Sequence, residues 1–265
     1  MIAKNEIGGL LPGPADPKDW SFRVSLLPGP RLSPGDIDLI ARAGDRMTGV
    51  SDQLWLNSCV ANATADSIEL LNALEGKDVV QVSRLQIYYD GRSVMSLDGV
   101  YNETTRDEGM YIRAAYHAMA TFGICPEAAW PYVPKNVNVR PDLKAIWQAL
   151  KNKLKAYYRI TSSRGDMLDD ILSALRAGHP PVFGIPVTDA FHSGSGRTIP
   201  PPKDGEVTYG LHAIMAVGCV GDKIRIRNSW GKNWGDGGYA LMDPGWFEEG
   251  HALDAWVATN GMVIK

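Results

Sequence analysis

Residues 212–242 read HAIMAVGCVGDKIRIRNSWGKNWGDGGYALM, and their texture is that of paired strands. HAIMAVGCV (212–220) is a short, β-rich apolar run. Gly221-Asp222 is a hairpin-turn signal, and in the KIRIRNSW that follows, Ile224 and Ile226 alternate with Arg225 and Arg227. GYALM (238–242) reads as a further strand, and PPVFGIPV (180–187) as one more upstream. If the two central strands pair through the turn, His212 and Asn228 fall on neighbouring strands, roughly opposite each other. An amide oxygen there can hold an imidazole in one tautomer.

Upstream of this β-rich part the period changes to that of helices. Residues 59–74, CVANATADSIELLNAL, put Val60, Ala63, Ser67, Leu70 and Leu74 on one face, with Asn57 and Ser58 as cap candidates and Glu75-Gly76 as the stop. A second helix fits residues 110–122, using Ile112, Ala115, Met119 and Phe122 and stopping at Gly123. A third follows Pro141 with Leu143, Ile146, Leu150 and Leu154, and a fourth spans about 166–177, closed by Gly178 and Pro180. Helices first and strands second imply an α+β protein whose halves meet at a cleft: a helical half over about 45–160 and a β half over about 161–265. Residues 1–35 are broken by proline and glycine (GGLLPGPADPKDW, LLPGPRLSPGD) and read as an N-terminal extension lying on the surface or across a groove.

Composition narrows the function. The chain has 265 residues, 45% of them hydrophobic and 22% charged, with a net charge of −3 and no basic stripe, so it lacks the electrostatic footprint of a nucleic-acid binder. Its longest apolar stretch, LHAIMAVGCVG, falls well short of the ~20 residues of a membrane span. The start, MIAKNEIGGL, has no charged-then-apolar pattern of a secretory signal, so the tripeptides at Asn62 and Asn102 carry no glycosylation reading. Three cysteines, Cys59, Cys125 and Cys219, cannot build a disulfide framework and are expected as reduced thiols. His117, His179, His192 and His251 show no metal-ligand spacing with Cys, Asp or Glu, so no metal site is expected.

Cys59 sits at the start of the first predicted helix, where unpaired N–H groups and the helix dipole favour a thiolate. Alone it signifies little, because a lone cysteine is more often a small buried hydrophobe. A nucleophilic thiol also needs a base, an orienting group and donors for an oxyanion. His212 supplies a base at a strand end, and Asn228 an orienting amide. Gln53, six residues before Cys59, offers a side-chain NH2 which, with the Cys59 N–H, makes a two-donor oxyanion hole.

These residues lie in SDQLWLNSCVANA, LHAIMAVG and IRNSWGKNWGDGGY, and in that order they resemble the papain-like (C1) cysteine peptidases. The resemblance covers roughly residues 34–260, with GICPEAAWPY (123–132) similar to a further family stretch. It implies the papain-like fold, with a helical N-terminal half, an antiparallel β-barrel-like C-terminal half and the active site between them. It implies a peptide or protein substrate and no cofactor. Cys59 is then the nucleophile, forming a thiolate–imidazolium pair with His212. Asn228 orients the ring, Gln53 completes the oxyanion hole, and Trp230 shields the His–Asn bond and borders the substrate. Gly109 matches a glycine that pairs with extended substrate, although it also reads as an ordinary helix start; Ala213 borders a substrate pocket. The sequence departs from the family where Leu56-Asn57-Ser58-Cys59-Val60 lacks the usual upstream cysteine and following aromatic, and where Leu211 precedes His212. The 35 residues before Asp36 are too few for a long inhibitory pro-domain and look like a short leader of bacterial or viral type. They are expected to lie in the cleft and limit activity until cleaved or displaced. The expected setting is cytoplasmic or virion-associated, and nothing compels a dimer. A leader-cleaving peptidase of bacteriocin exporters also keeps Gln before Cys, but pairs its His with Asp-Pro rather than Asn-Ser-Trp-Gly. The alternative from another class is a catalytically silent binding or virion structural protein on the same fold; such decayed members usually lose Cys or His first, and both are present here.

Overall fold

The structure is a computed structural model that describes residues 8–14, 16, 19, 21, 35–97, 104–161, 167–194 and 198–259. The rest of the proposed 1–35 extension lies outside the described residues. Helix α1 (Leu39–Ala43) follows a two-residue strand β1 (Ile37–Asp38), and then come α2 (Cys59–Leu74), α3 (Arg84–Leu97), α4 (Ile112–Thr121) and α5 (Leu143–Ala149). Strand β2 (Tyr157–Arg159), α6 (Met167–Arg176), β3 (Val182–Pro186) and α7 (Asp189–Ser193) lead into β4 (Leu211–Val220), β5 (Lys223–Arg227) and β6 (Tyr239–Met242). A short α8 (Gly245–Glu248) and β7 (Leu253–Ala258) complete it. One antiparallel sheet runs β2-β7-β3-β4-β5-β6, and β1 pairs with β4 off that path. Helices before, sheet after: the expected α+β plan is what the chain builds, though β1 joins the sheet from ahead of the helical stretch and β2 from its end.

Helix α2 begins and ends where the period of residues 59–74 says it does, and Gly76 stops it in the left-handed region at φ 72°. It packs against α1, α3, α4 and β4 and is buried from Cys59 to Ala73, which its small residues Ala61, Ala63 and Ala65 permit on every side. Its buried polar side chains therefore need partners. Thr64 Oγ1 donates to the Val60 carbonyl, Ser67 Oγ to Pro180 O, and Asp66 accepts from Arg227 Nε at 2.7 Å and from Ser51 Oγ at 3.0 Å. That Arg227–Asp66 pair, both ends almost fully buried, ties helix α2 to β5.

β4 is the centre of the sheet and is buried on both faces from His212 to Cys219. The hairpin to β5 turns at Gly221 (φ 59°) and Asp222, with Val220 opposite Lys223, as the sequence predicts. Between Ala216 and Gly218 the β4–β5 register shifts, leaving Val217 as an extra residue, a β-bulge. Gly218 is required there because a Cβ would collide with the Ile37 carbonyl of β1.

Two expectations fail locally. The third helix ends at Ala149 rather than reaching Leu154, and its buried residues are Ala145 and Ala149; Leu143 is 73% exposed and Leu150 43%. The second helix starts at Ile112, two residues late, because Met110 pairs with the N-terminal segment and Tyr111 is held extended at φ −88°, ψ 154°. Trp246 and Trp256 are core, and all three cysteines are buried free thiols. Among the described residues no helix is long and apolar enough to cross a membrane, and no group of three or more His, Cys, Asp or Glu could hold a metal ion.

Candidate active site

Cys59 is the first residue of α2, so its sulfur lies at the helix N-terminus. Backbone N–H groups of Ala213, Val60 and Cys59 itself pull its pKa down, but complete burial wins and pushes the thiol up to about 12. The dipole argument from the sequence is correct in sign and too small against this burial. The loop before it is fixed by Asp107, which accepts from Asn57 N at 3.0 Å and from Tyr88 Oη at 2.5 Å. Ser58 fails to cap with its side chain; it donates instead to Tyr132 Oη at 2.6 Å, since that phenol's own proton goes to Gln53 O at 2.9 Å. Neither Asp107 nor Tyr132 was picked out by reading single motifs; Tyr132 ends the GICPEAAWPY stretch, the one signal for it.

His212 lies in β4 beside Ala213, whose N–H faces the Cys59 sulfur. Its Nε2 is 2.7 Å from Asn228 Oδ1, and Ser229 N donates to the same oxygen at 2.8 Å. A backbone donor on that atom identifies it as the oxygen, so Nε2 carries the proton and Nδ1 is left as the basic nitrogen. Burial lowers the His212 pKa to about 4, against a smaller rise from the Asn228 bond. The Trp230 ring covers the imidazole at 4.6 Å between centroids, and Phe191 closes another side at 5.8 Å. Asn228 stands one residue past the end of β5 rather than directly across from His212, and it is the side chain that closes the gap.

Gln53 is buried. Its Oε1 accepts from Ser229 Oγ at 2.7 Å, one Nε2 proton goes to Leu56 O at 2.9 Å, and its backbone N donates to Ser229 O at 2.8 Å. The Gln53 loop is thus stitched directly to the turn that carries Asn228, with Asp52 bridging Trp230 and Arg227 donating to the Thr48 and Gly49 carbonyls.

The cleft holds part of the chain's own extension. Met110 N donates to Gly9 O at 3.0 Å, Leu11 N to Met110 O at 3.1 Å, and Leu10 N to Leu211 O at 3.2 Å. Leu10 is 4% exposed, and its Cδ2 fills the space that a Cβ at Gly184 would occupy, beside Ala213 in the paired strand. A Cβ at Gly109 would collide with the Gly9 carbonyl, and one at Gly9 with the Asn57 carbonyl, so this strap passes within van der Waals reach of the loop that carries the nucleophile. Gly109 gives its own N–H to Tyr88 Oη at 2.9 Å, and the backbone that pairs with the strap is that of Met110. From Gly9 the strap recedes from Asn57 past Tyr111 and Asp254 to Arg113. Met110, Leu211 and Gly184 carry no sequence signal of this role, because backbone and a missing side chain make the contact.

Residues 33–254 match the model for the papain family of cysteine proteases. Among curated relatives, an uncharacterized peptidase C1-like protein of Acanthamoeba polyphaga mimivirus is 32% identical over 250 residues, 89% of this chain and 78% of that protein. Chymopapain of Carica papaya is 26% identical over 211 residues, 76% of this chain and 53% of its own length. The crystal structure of xylellain, a cysteine protease from Xylella fastidiosa, superimposes with a TM-score of 0.80 at 28% identity, covering 96% of each chain. A thiol at a helix start, an imidazole with its tautomer fixed by an amide, and a match of this extent lead to one assignment: this chain belongs to the papain family of cysteine proteases.

Proposed function

We propose that this chain hydrolyses peptide bonds through Cys59 and that its N-terminal strap holds the enzyme closed. The observation that carries the reading is the 2.7 Å bond from His212 Nε2 to Asn228 Oδ1, which leaves Nδ1 as the proton acceptor. In the closed state burial keeps both partners neutral, thiol and imidazole. Once the strap leaves and water reaches the cleft, the desolvation penalty falls, and the helix N-terminus and the Ala213 N–H favour the thiolate. The thiolate attacks the scissile carbonyl carbon, and the oxyanion is received by Cys59 N–H and the second Gln53 Nε2 proton. His212 then gives its proton to the leaving amine, and water hydrolyses the thioester. Trp230 keeps water from the His–Asn bond.

Intact mass after treatment with an epoxide that alkylates active-site thiols tests this. The full chain with Leu10→Asp, which makes the strap seat a charge in an apolar pocket, should take one adduct. Adding Cys59→Ala or His212→Ala should abolish it. An adduct that survives His212→Ala would mean that the thiol is not activated by this histidine, and the proposed chemistry would fall.

A further inference from the structure

Beyond Leu10 the cleft ends in a charged cluster to which the two structural layers contribute one arginine each. Arg113, on α4, meets Asp16 Oδ2 at 2.8 Å and Asp19 Oδ1 at 3.3 Å, both from the strap. Arg159, on β2, reaches the same Asp19 at 3.9 Å and Asp254 Oδ1 at 3.3 Å. Asp254 is held in place by the Trp256 indole N–H at 2.9 Å, and the strap lies directly on it: a Cβ at Gly13 would be 3.1 Å from Asp254 Oδ2. The cluster is half-buried: Arg113, Asp19 and Asp254 are at 11%, 9% and 11% side-chain exposure, Arg159 at 26% and Asp16 at 38%.

Charge decides what this end of the cleft can accept. With the strap in place, two guanidinium groups face three carboxylates, and Asp19 Oδ2 and Asp254 Oδ2 are buried without a hydrogen-bond donor. Two of these three carboxylates belong to the removable segment. When the strap leaves, Arg113, Arg159 and Asp254 remain, a site with one net positive charge among these three side chains. Each guanidinium has then lost a charge-assisted bond, so a carboxylate arriving from elsewhere is favoured.

We propose that Arg113 and Arg159 form an acid-accepting subsite of the peptide cleft, selecting substrates that carry Asp or Glu near a leucine-like side chain seated in the Leu10 pocket. This rests on the peptidase reading above and adds a substrate class to it. Gly13, three residues past Leu10, already touches the cluster through Asp254, so the acid stands roughly 10 Å of extended chain from the leucine. The strap's own aspartates are then the stand-ins for that acid, and the closed form is held by the recognition the open form uses.

The test uses the full chain with Leu10→Asp to unseat the strap. Peptides with one leucine are compared in pairs that differ by Asp against Asn at each position from two to nine residues on either side, and kcat/KM is read for each. One such position should give about tenfold or greater preference for Asp, the worth of a hydrogen bond between charged groups in a partly buried site. Arg159→Lys should retain part of the preference, and Arg113→Gln or Arg159→Gln should bring the Asp-to-Asn ratio to about one. Equal rates for every pair would mean that these arginines hold only the strap, and the subsite would be refuted. A second arm does not depend on turnover. Calorimetric titration of the Cys59→Ala, Leu10→Asp chain with a synthetic peptide of residues 8–21 should give at least tenfold weaker binding when Asp16 and Asp19 are both Asn. Carboxylate-dependent binding with no cleavage of any peptide would leave the subsite standing and remove the peptidase reading instead; binding indifferent to the two carboxylates would remove the subsite.

Discussion

A single methyl group should switch this enzyme on. Gly9 is not in the left-handed region, so its backbone tolerates alanine; its contacts do not. A Cβ there overlaps the Asn57 carbonyl and comes within 2.9 Å of Asn57 Cα, and Asn57 is pinned through its N–H and side chain to Asp107 at 3.0 and 2.7 Å. The body cannot give way, so the strap must. Lifting it sacrifices three backbone hydrogen bonds, those linking Gly9, Leu10 and Leu11 to Met110 and Leu211. At about 1 kcal/mol net for each, the closed state loses roughly 3 kcal/mol, a factor of about 10² in the ratio of open to closed chain. Loosening of the Leu10 side chain, worth up to roughly 2–3 kcal/mol when fully buried, adds to this. The assay is the second-order rate of Cys59 alkylation by a thiol-directed epoxide, followed by intact mass, with the Gly9→Ala rate about 10²-fold above wild type and circular dichroism unchanged. Gly9→Ala alkylated at the wild-type rate would refute the reasoning, because the collision would then have been absorbed without opening the cleft.

Gln53→Ala, made in the Leu10→Asp chain, should lower kcat by ~10²–10³ with KM nearly constant, since the donor acts on the oxyanion rather than on the bound peptide. Asn228→Ala in the same background should cost about 10–100-fold in kcat by freeing the ring tautomer, and steady-state kinetics on one peptide would show it. Glu69 gives a stability signature. Burial and the nearby Asp66 raise its pKa from the ordinary carboxylate value to about 8, so the native state holds a proton that the unfolded chain gives up. Its contribution is therefore complete below about 4.5 and is lost as pH rises toward 8. Urea melts of Glu69→Gln against wild type should show the variant gaining in relative stability from pH 5 to pH 8.

What the sequence makes legible here is whatever is written at short range. The limits of α2 follow from a 16-residue period between a polar stretch and a glycine, and the β4–β5 hairpin from an alternating run behind Gly221-Asp222. Cys59, His212, Asn228 and Gln53 stand out in the sequence because four weak signals fit one mechanism. The fold places the last three in a hydrogen-bonded set around Ser229, with Cys59 beside Ala213. Long-range contacts left no such trace. Asp66 and Arg227 are separated by 161 positions, and nothing near either one announces a buried ion pair. Arg113 and Arg159, 46 positions apart, are brought to one carboxylate, Asp19, by a strap from the N-terminal end of the chain. The α5 error has the opposite cause: Leu143 and Leu150 carry a helical apolar spacing, yet the face they mark is turned to solvent and the helix packs on alanines.

The extra residue in β4 has a consequence for parity. β3 holds Leu211 to Met215 in unbroken register, whereas β5 counts one residue differently on either side of Val217. β4 is thus read by two neighbours in two frames, and the bulge is the joint that reconciles them. Because side chains alternate sides along a strand, an odd change in length between His212 and the turn would exchange inside for outside on that part of β4 relative to β5. An even change would preserve the alternation. The bond between His212 and Asn228 therefore depends on the one-residue offset at Val217, and a further odd change between His212 and the turn would need a second bulge to restore the frame.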